Sequence, residues 1–137
     1  MIVIDASALA KYLLREEGWR EVESLLLQSP IYSIDHVVKE VANAIWRHTT
    51  LHRYISSDMA LAVFSQLKKL VDEKIIVLET QERYIDKAFS IALDNSISIY
   101  DALYIAQALE NKRKLLTSDR IQADVANKLG VEAILIK

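Results

Sequence analysis

The sequence predicts an α/β three-layer sandwich, with a central parallel sheet of about four or five strands and helices on both faces. Three observations lead to it. Short apolar runs rich in β-branched residues, such as Ile2-Val3-Ile4, read as strands buried on both faces, which is how central parallel strands look. Stretches of helical periodicity alternate with these runs. The 137 residues contain two glycines and one proline, so no linker, repeat or low-complexity segment divides them, and residues 1–137 read as a single domain.

The first strand stops at Asp5, at its carboxyl end, the edge of an open α/β sheet where ligands bind. Asp5 or Ser7 equally reads as a cap for a helix from Ala8 to Glu16. Gly18 breaks that helix before a second one carrying Trp19, Val22, Leu25 and Leu26, which Pro30 ends. A strand over Ile31 to Ser33 leads to Asp35, a candidate N-cap for a helix with Val37, Val38, Val41, Ala42 and Ile45 on one side. On its other side His36, Glu40, Asn43 and Arg47 are stacked, either a solvated face or the polar wall of a cleft. His48 and His52 lack the intervening acid of a zinc-protease helix and read as surface residues.

Ser57 is the expected cap of a long helix from Asp58 to about Glu73, on which Met59 and Leu61 add apolar surface beyond one buried stripe and suggest a subunit contact. A strand over Ile75 to Leu78 and a helix over Glu82 to Asp94 follow. Ser98 and Asp101 then have capping-box spacing at the start of the next helix. Helical geometry also sets Asp101 on the stripe of Ile97, Ile105 and Ala108, where a carboxylate is costly unless something such as a metal compensates it. Lys114 to Thr117 forms another strand, ended by Ser118-Asp119. A helix from about Ile121 to Leu129 is closed by Gly130, and Val131 to Ile136 supplies the last strand.

Composition excludes several classes. No apolar run reaches the roughly 18 residues of a membrane span, and no basic, apolar leader opens the chain, so a cytoplasmic protein is expected. The absence of cysteine rules out disulfides, thiolate metal sites and a Cys nucleophile. A net charge of −2 is no polyanion-binding signature, so a nucleic acid would need local basic groups or metal. In a doubly wound sheet Asp5, Glu40, Asp101 and Asp119 fall on one rim, where unneutralised carboxylates require bound cations or extra protons. All-oxygen ligation favours Mg²⁺ or Mn²⁺.

The ordered pieces Ile4-Asp5-Ala6-Ser7-Ala8-Leu9, Glu40-Val41-Ala42-Asn43-Ala44, Tyr100-Asp101-Ala102-Leu103-Tyr104-Ile105-Ala106 and Leu116-Thr117-Ser118-Asp119 resemble the PIN-domain nucleases, in particular the VapC-type toxins of toxin–antitoxin pairs. The resemblance covers essentially the whole chain. It departs at Ile34, where many relatives have proline. It implies that Asp5, Glu40, Asp101 and Asp119 hold one or two divalent ions for hydrolysis of an RNA phosphodiester. Ser7, Asn43 and Thr117 would orient those carboxylates by hydrogen bonds. It further implies a small antitoxin partner and a homodimer. Lys11, Arg15 and Arg47 are the candidates for phosphate contacts, or simply solvated helix charges.

Alternatives are an RNA-processing nuclease of the same chemistry without an antitoxin, and a phosphohydrolase or receiver-like domain. A receiver needs an Asp at the end of a middle strand, whereas Ile75 to Leu78 is followed by Glu79 and Thr80. A phosphatase with paired aspartates is disfavoured by serine at position 7.

Overall fold

A computed structural model describes all 137 residues. Five strands form the sheet: β1 (Ile2–Ile4), β2 (Ile31–Ile34), β3 (Ile76–Glu79), β4 (Lys114–Thr117) and β5 (Ala133–Leu135). Every pairing is parallel and the order is β3-β2-β1-β4-β5. Seven α-helices connect them: α1 (Ala6–Leu13), α2 (Trp19–Gln28), α3 (Val37–Trp46), α4 (Ser57–Asp72), α5 (Ile85–Asn95), α6 (Ile99–Asn111) and α7 (Arg120–Lys128). Right-handed crossovers put α1 to α4 on one face and α5 to α7 on the other. The packing agrees, since α1 contacts α2, α3 and α4, while α6 contacts α5 and α7.

The chain builds outward from β1 through β2 and β3, then returns to add β4 and β5 on the other side. The reversal falls between β1 and β4, and a crevice opens there at the strands' carboxyl ends. Strands β1 and β4 are anchored by Val3, Ile4, Leu115 and Leu116, which are all inaccessible to solvent. Helix α6 is buried continuously from Ala102 to Ala108, so Asp101 enters the crevice from a rigid support.

Local differences from the expected elements have physical causes. Helix α1 begins at Ala6, two residues early, because Asp5 itself caps it by accepting from the Ala8 amide at 2.9 Å. It stops at Leu13 rather than Glu16, and Arg15 turns left-handed at φ 56°. Asp35 does not cap α3: its carboxylate accepts from the Gln81 amide at 3.3 Å, and the helix starts after His36 without a side-chain cap. Ser56, not Ser57, caps α4 through the Met59 amide at 3.1 Å. The Glu82–Asp94 segment divides into a short 3₁₀ turn, Gln81–Arg83, and α5. No helix is long and apolar enough to cross a membrane.

Edge strand β3 shows what this fold does with a carboxylate it neutralises internally. Glu79 pairs with Arg113 at 2.7 Å and accepts from Gln107 and Tyr84 at 2.9 and 2.8 Å. Burial alone would raise its carboxyl, but these partners outweigh it and hold the pKa at about 2. The Arg113 guanidinium also lies 3.6 Å from the Tyr32 ring centroid, which adds a cation–π contact to the pair.

Candidate active site

Asp5 lies at the carboxyl end of β1 with 2% of its surface exposed, and it holds several hydrogen bonds at once. Besides the Ala8 amide, the Ser7 hydroxyl lies 2.7 and 2.9 Å from its two oxygens, and Thr117, the last residue of β4, donates to Oδ2. Ser7 Oγ in turn accepts from the Ser118 amide at 3.0 Å, and Thr117 Oγ1 from the Asp119 amide at 3.0 Å. The switch point is thus stitched together by two hydroxyls between the strands, and Asp5 is fixed in orientation by neutral donors only.

The other acids reach the same cleft from separate elements. Asp119 caps α7 through the Gln122 amide at 3.1 Å. Ser98 caps α6 by accepting from the Asp101 amide at 3.2 Å, and its hydroxyl is also the hydrogen-bond donor that favours the ionised Asp101 carboxylate. Gln122 holds the Asp101 backbone carbonyl at 3.1 Å and ties α6 to α7. Glu40, one turn into α3, accepts from the Tyr104 hydroxyl at 2.7 Å and lies 2.7 Å from His36 Nε2, out of hydrogen-bond alignment. A helix cap and a place in the cleft wall therefore coincide for Asp5 and Asp119, because a helix N-terminus on this edge faces the crevice.

Asp5, Glu40, Asp101 and Asp119 line one open cleft of about 430 Å³. Glu16 is a fifth acid in its wall, against Lys11 and Arg47 as the fixed cations there. Burial pushes the Asp5 carboxyl up from 3.8 to about 7, against the lowering effect of the Thr117, Ala8 and Ser7 hydrogen bonds, and the Asp101 charge adds to the rise. Asp101 is also raised, by burial first and then by the charges of Asp119 and Glu40. Glu40 is lowered, because the His36 and Tyr104 contacts outweigh its burial. No lysine or arginine is paired with any of these four acids, unlike Glu79 with Arg113, and only Glu40 has a histidine beside it.

These residues fit a hard divalent cation by chemistry. The donors are all carboxylate oxygens, and their charge is not balanced by the chain itself. They ring the cleft rather than converge: no three acidic or histidine side chains stand close enough to enclose an ion as placed.

The remaining candidates divide. Ser7 and Thr117 contact Asp5 as described. Asn43 is exposed, does not line the cleft itself, and faces a neighbouring depression with Lys39, Tyr100 and Glu40, the acid that the two share. Lys11 and Arg47 line the cleft, whereas Arg15 does not: its guanidinium lies 4.3 Å from the Trp19 ring and 5.0 Å from the Tyr12 ring. His48 and His52, expected as plain surface residues, line the cleft, and His36 is buried against Tyr104 and Tyr100, with ring centroids 5.0 and 5.7 Å away. The spacing Glu40, Ala44, His48 continues one helical face and is the signal for His48. Nothing in the sequence singles out Tyr104 as the partner of Glu40, since it reads as a core aromatic.

Comparison with known proteins bears on this site. Ribonuclease VapC3 of Pyrobaculum aerophilum is 31% identical over 124 residues, which cover 90% of this chain and 92% of the relative. Exonuclease VapC9 of the same organism is 28% identical, with 98% and 93% covered. Among solved structures, PAE2754 from P. aerophilum superposes with a TM-score of 0.70 at 21% identity over 96% of this chain and 87% of that one. FitAcB from Neisseria gonorrhoeae superposes with a TM-score of 0.63 at 17% identity over 98% and 96%. The PIN domain model matches residues 2–128, nearly the full length, and the chain belongs to the PIN domain family.

Proposed function

We propose that this protein is a metal-dependent endoribonuclease, the toxin of a type II toxin–antitoxin pair, acting on RNA in the cytoplasm. The observation that carries the reading is the gathering of Asp5, Glu40, Asp101 and Asp119 around one cleft at the sheet's switch point, none of them paired with a lysine or arginine. A polyanion cannot approach such a cleft favourably unless a cation occupies it. The relatives named ribonuclease and exonuclease support the same chemistry.

The four carboxylates would hold one or two Mg²⁺ or Mn²⁺ ions, which supply positive charge that activates water and eases charge build-up on the phosphate oxygens. Ser7 and Thr117 keep the Asp5 carboxylate oriented through their hydroxyls. Tyr104, whose phenol burial and the Glu40 charge keep protonated, fixes Glu40 in the same way. Lys11 and Arg47 stand in the cleft wall to meet the phosphates that flank the scissile one. A small antitoxin and a second copy of the chain are the proposed protein partners. Exposed apolar side chains on α4 and α5, Met59, Leu61, Phe89 and Leu93, support such contacts. An adjacent short reading frame with a DNA-binding amino end favours the toxin over a processing nuclease without antitoxin.

The test is incubation of the purified chain with single-stranded and structured RNA. Internal cuts are expected with Mg²⁺ or Mn²⁺ and none in EDTA. Cleavage that survives EDTA contradicts the mechanism, and release of mononucleotides from an end would assign an exonuclease instead.

A further inference from the structure

We propose that His52, in the wall of the cleft, and Tyr54, stacked against it, form a stacking platform for an unpaired base of single-stranded RNA, an inference that rests on the nuclease reading above. The backbone there is unusual in two ways. Helix α3 runs directly into a π-helical turn over Arg47–Leu51, a rare form that often marks functional sites. Arg53 then adopts a left-handed conformation at φ 56°, which costs free energy for a residue with a Cβ. Together they fold the chain back on itself, with the His52 amide bonded to the Arg47 carbonyl at 2.9 Å and the Tyr54 amide to the His48 carbonyl at 2.8 Å.

The product is a small aromatic cluster. The Tyr54 and His52 rings are stacked, 5.2 Å apart and 16° from parallel, and His48 meets Tyr54 edge-on at 5.5 Å. His48 and His52 line the same cleft as the carboxylates. Tyr54 remains 71% exposed, so this packing serves no core and leaves the far side of its ring open to solvent. Arg47 lines the same cleft, and Arg53 lies between His52 and Tyr54 in the chain, so positive charge is close at hand for a nucleotide's phosphate. Bases in a duplex hide their faces in the stack, whereas an unpaired base offers a π-face to any aromatic ring irrespective of its identity. The site therefore selects unpaired RNA next to the cut rather than a particular base.

The test uses the full chain and a short single-stranded RNA carrying 2-aminopurine, with Ca²⁺ present to neutralise the carboxylates. Fluorescence quenching reports stacking. Tyr54→Ala and His52→Ala are expected to weaken binding about tenfold and to lose the quench, whereas Tyr54→Phe keeps both. A blunt duplex of the same sequence is expected to bind more weakly and to be insensitive to Tyr54→Ala. Tyr54→Ala that binds and quenches like wild type overturns the platform and leaves the nuclease reading intact. Unchanged RNA binding with loss of a co-purifying protein assigns the rings to a protein partner and equally overturns it. A wild-type chain that quenches the probe but cleaves no RNA in Mg²⁺ or Mn²⁺ supports the platform while the nuclease reading fails.

Discussion

Asp101→Asn is expected to lower RNA cleavage at least about a thousandfold, the equivalent of the several kcal/mol that a bound cation contributes to stabilising developing charge. The variant should fold normally, for reasons visible in the contacts of Asp101. Its amide is held by Ser98 and its carbonyl by Gln122, both backbone contacts that Asn preserves. Burial, with the charges of Asp119 and Glu40, disfavours its ionised carboxylate and outweighs the Ser98 hydroxyl and the His36 charge that favour it. Removal of that charge relieves repulsion in the metal-free chain while it takes away a ligand. Cleavage rates with circular dichroism and thermal melting check both halves. Loss of activity with loss of fold would point to a structural role, and full activity would exclude Asp101 from the site.

Asp5→Asn is expected to abolish cleavage as well, and it has a second, pH-dependent signature. A carboxyl displaced by burial from 3.8 to about 7 is protonated in the folded chain over a range where the unfolded chain is ionised. The folded state binds the extra proton, so metal-free stability falls as pH rises between about 4 and 7 and levels off above. At the plateau the cost is roughly 4 kcal/mol at most, of which Asn recovers part, because its amide group matches the Thr117 and Ser7 hydroxyls less well than a carboxylate does. Thermal melts in EDTA from pH 5 to 8 are therefore expected to converge at the acid end, with Asp5→Asn more stable than wild type at the alkaline end. Parallel curves would show that the Asp5 charge is not strained by burial.

The fold was legible in the sequence because its determinants are local. Strand runs such as Ile2-Val3-Ile4 and Lys114 to Thr117 are short and β-branched or apolar, and the five-stranded parallel sheet follows from their alternation with helices. Cap positions were less legible. Asp35 and Ser57 had the right residue type at the right place, but whether an oxygen meets a helix amide depends on the entry angle, and Ser56 and the Gln81 amide proved better placed. The rim of acids was legible as well, since the carboxyl end of β1 and the starts of α6 and α7 are fixed once the sheet is parallel. Arg15 and His48 mark the limit. Arg15 turns away because a left-handed residue ends the segment and Trp19 offers a ring, and His48 turns inward because α3 runs on into a π-helical turn. Arg15 has no local sequence signal, and His48 has only its place four and eight residues beyond Ala44 and Glu40 on one helical face.

Direct binding of Mn²⁺, followed by electron paramagnetic resonance on wild type, Asp5→Asn and Asp101→Asn at pH 8, tests the central claim that these separated carboxylates form one cation site. Saturable binding by the wild-type chain, strongly weakened in both variants and competed by Mg²⁺, is the predicted result. No saturable binding by the wild-type chain, or equal binding by all three proteins, would contradict it.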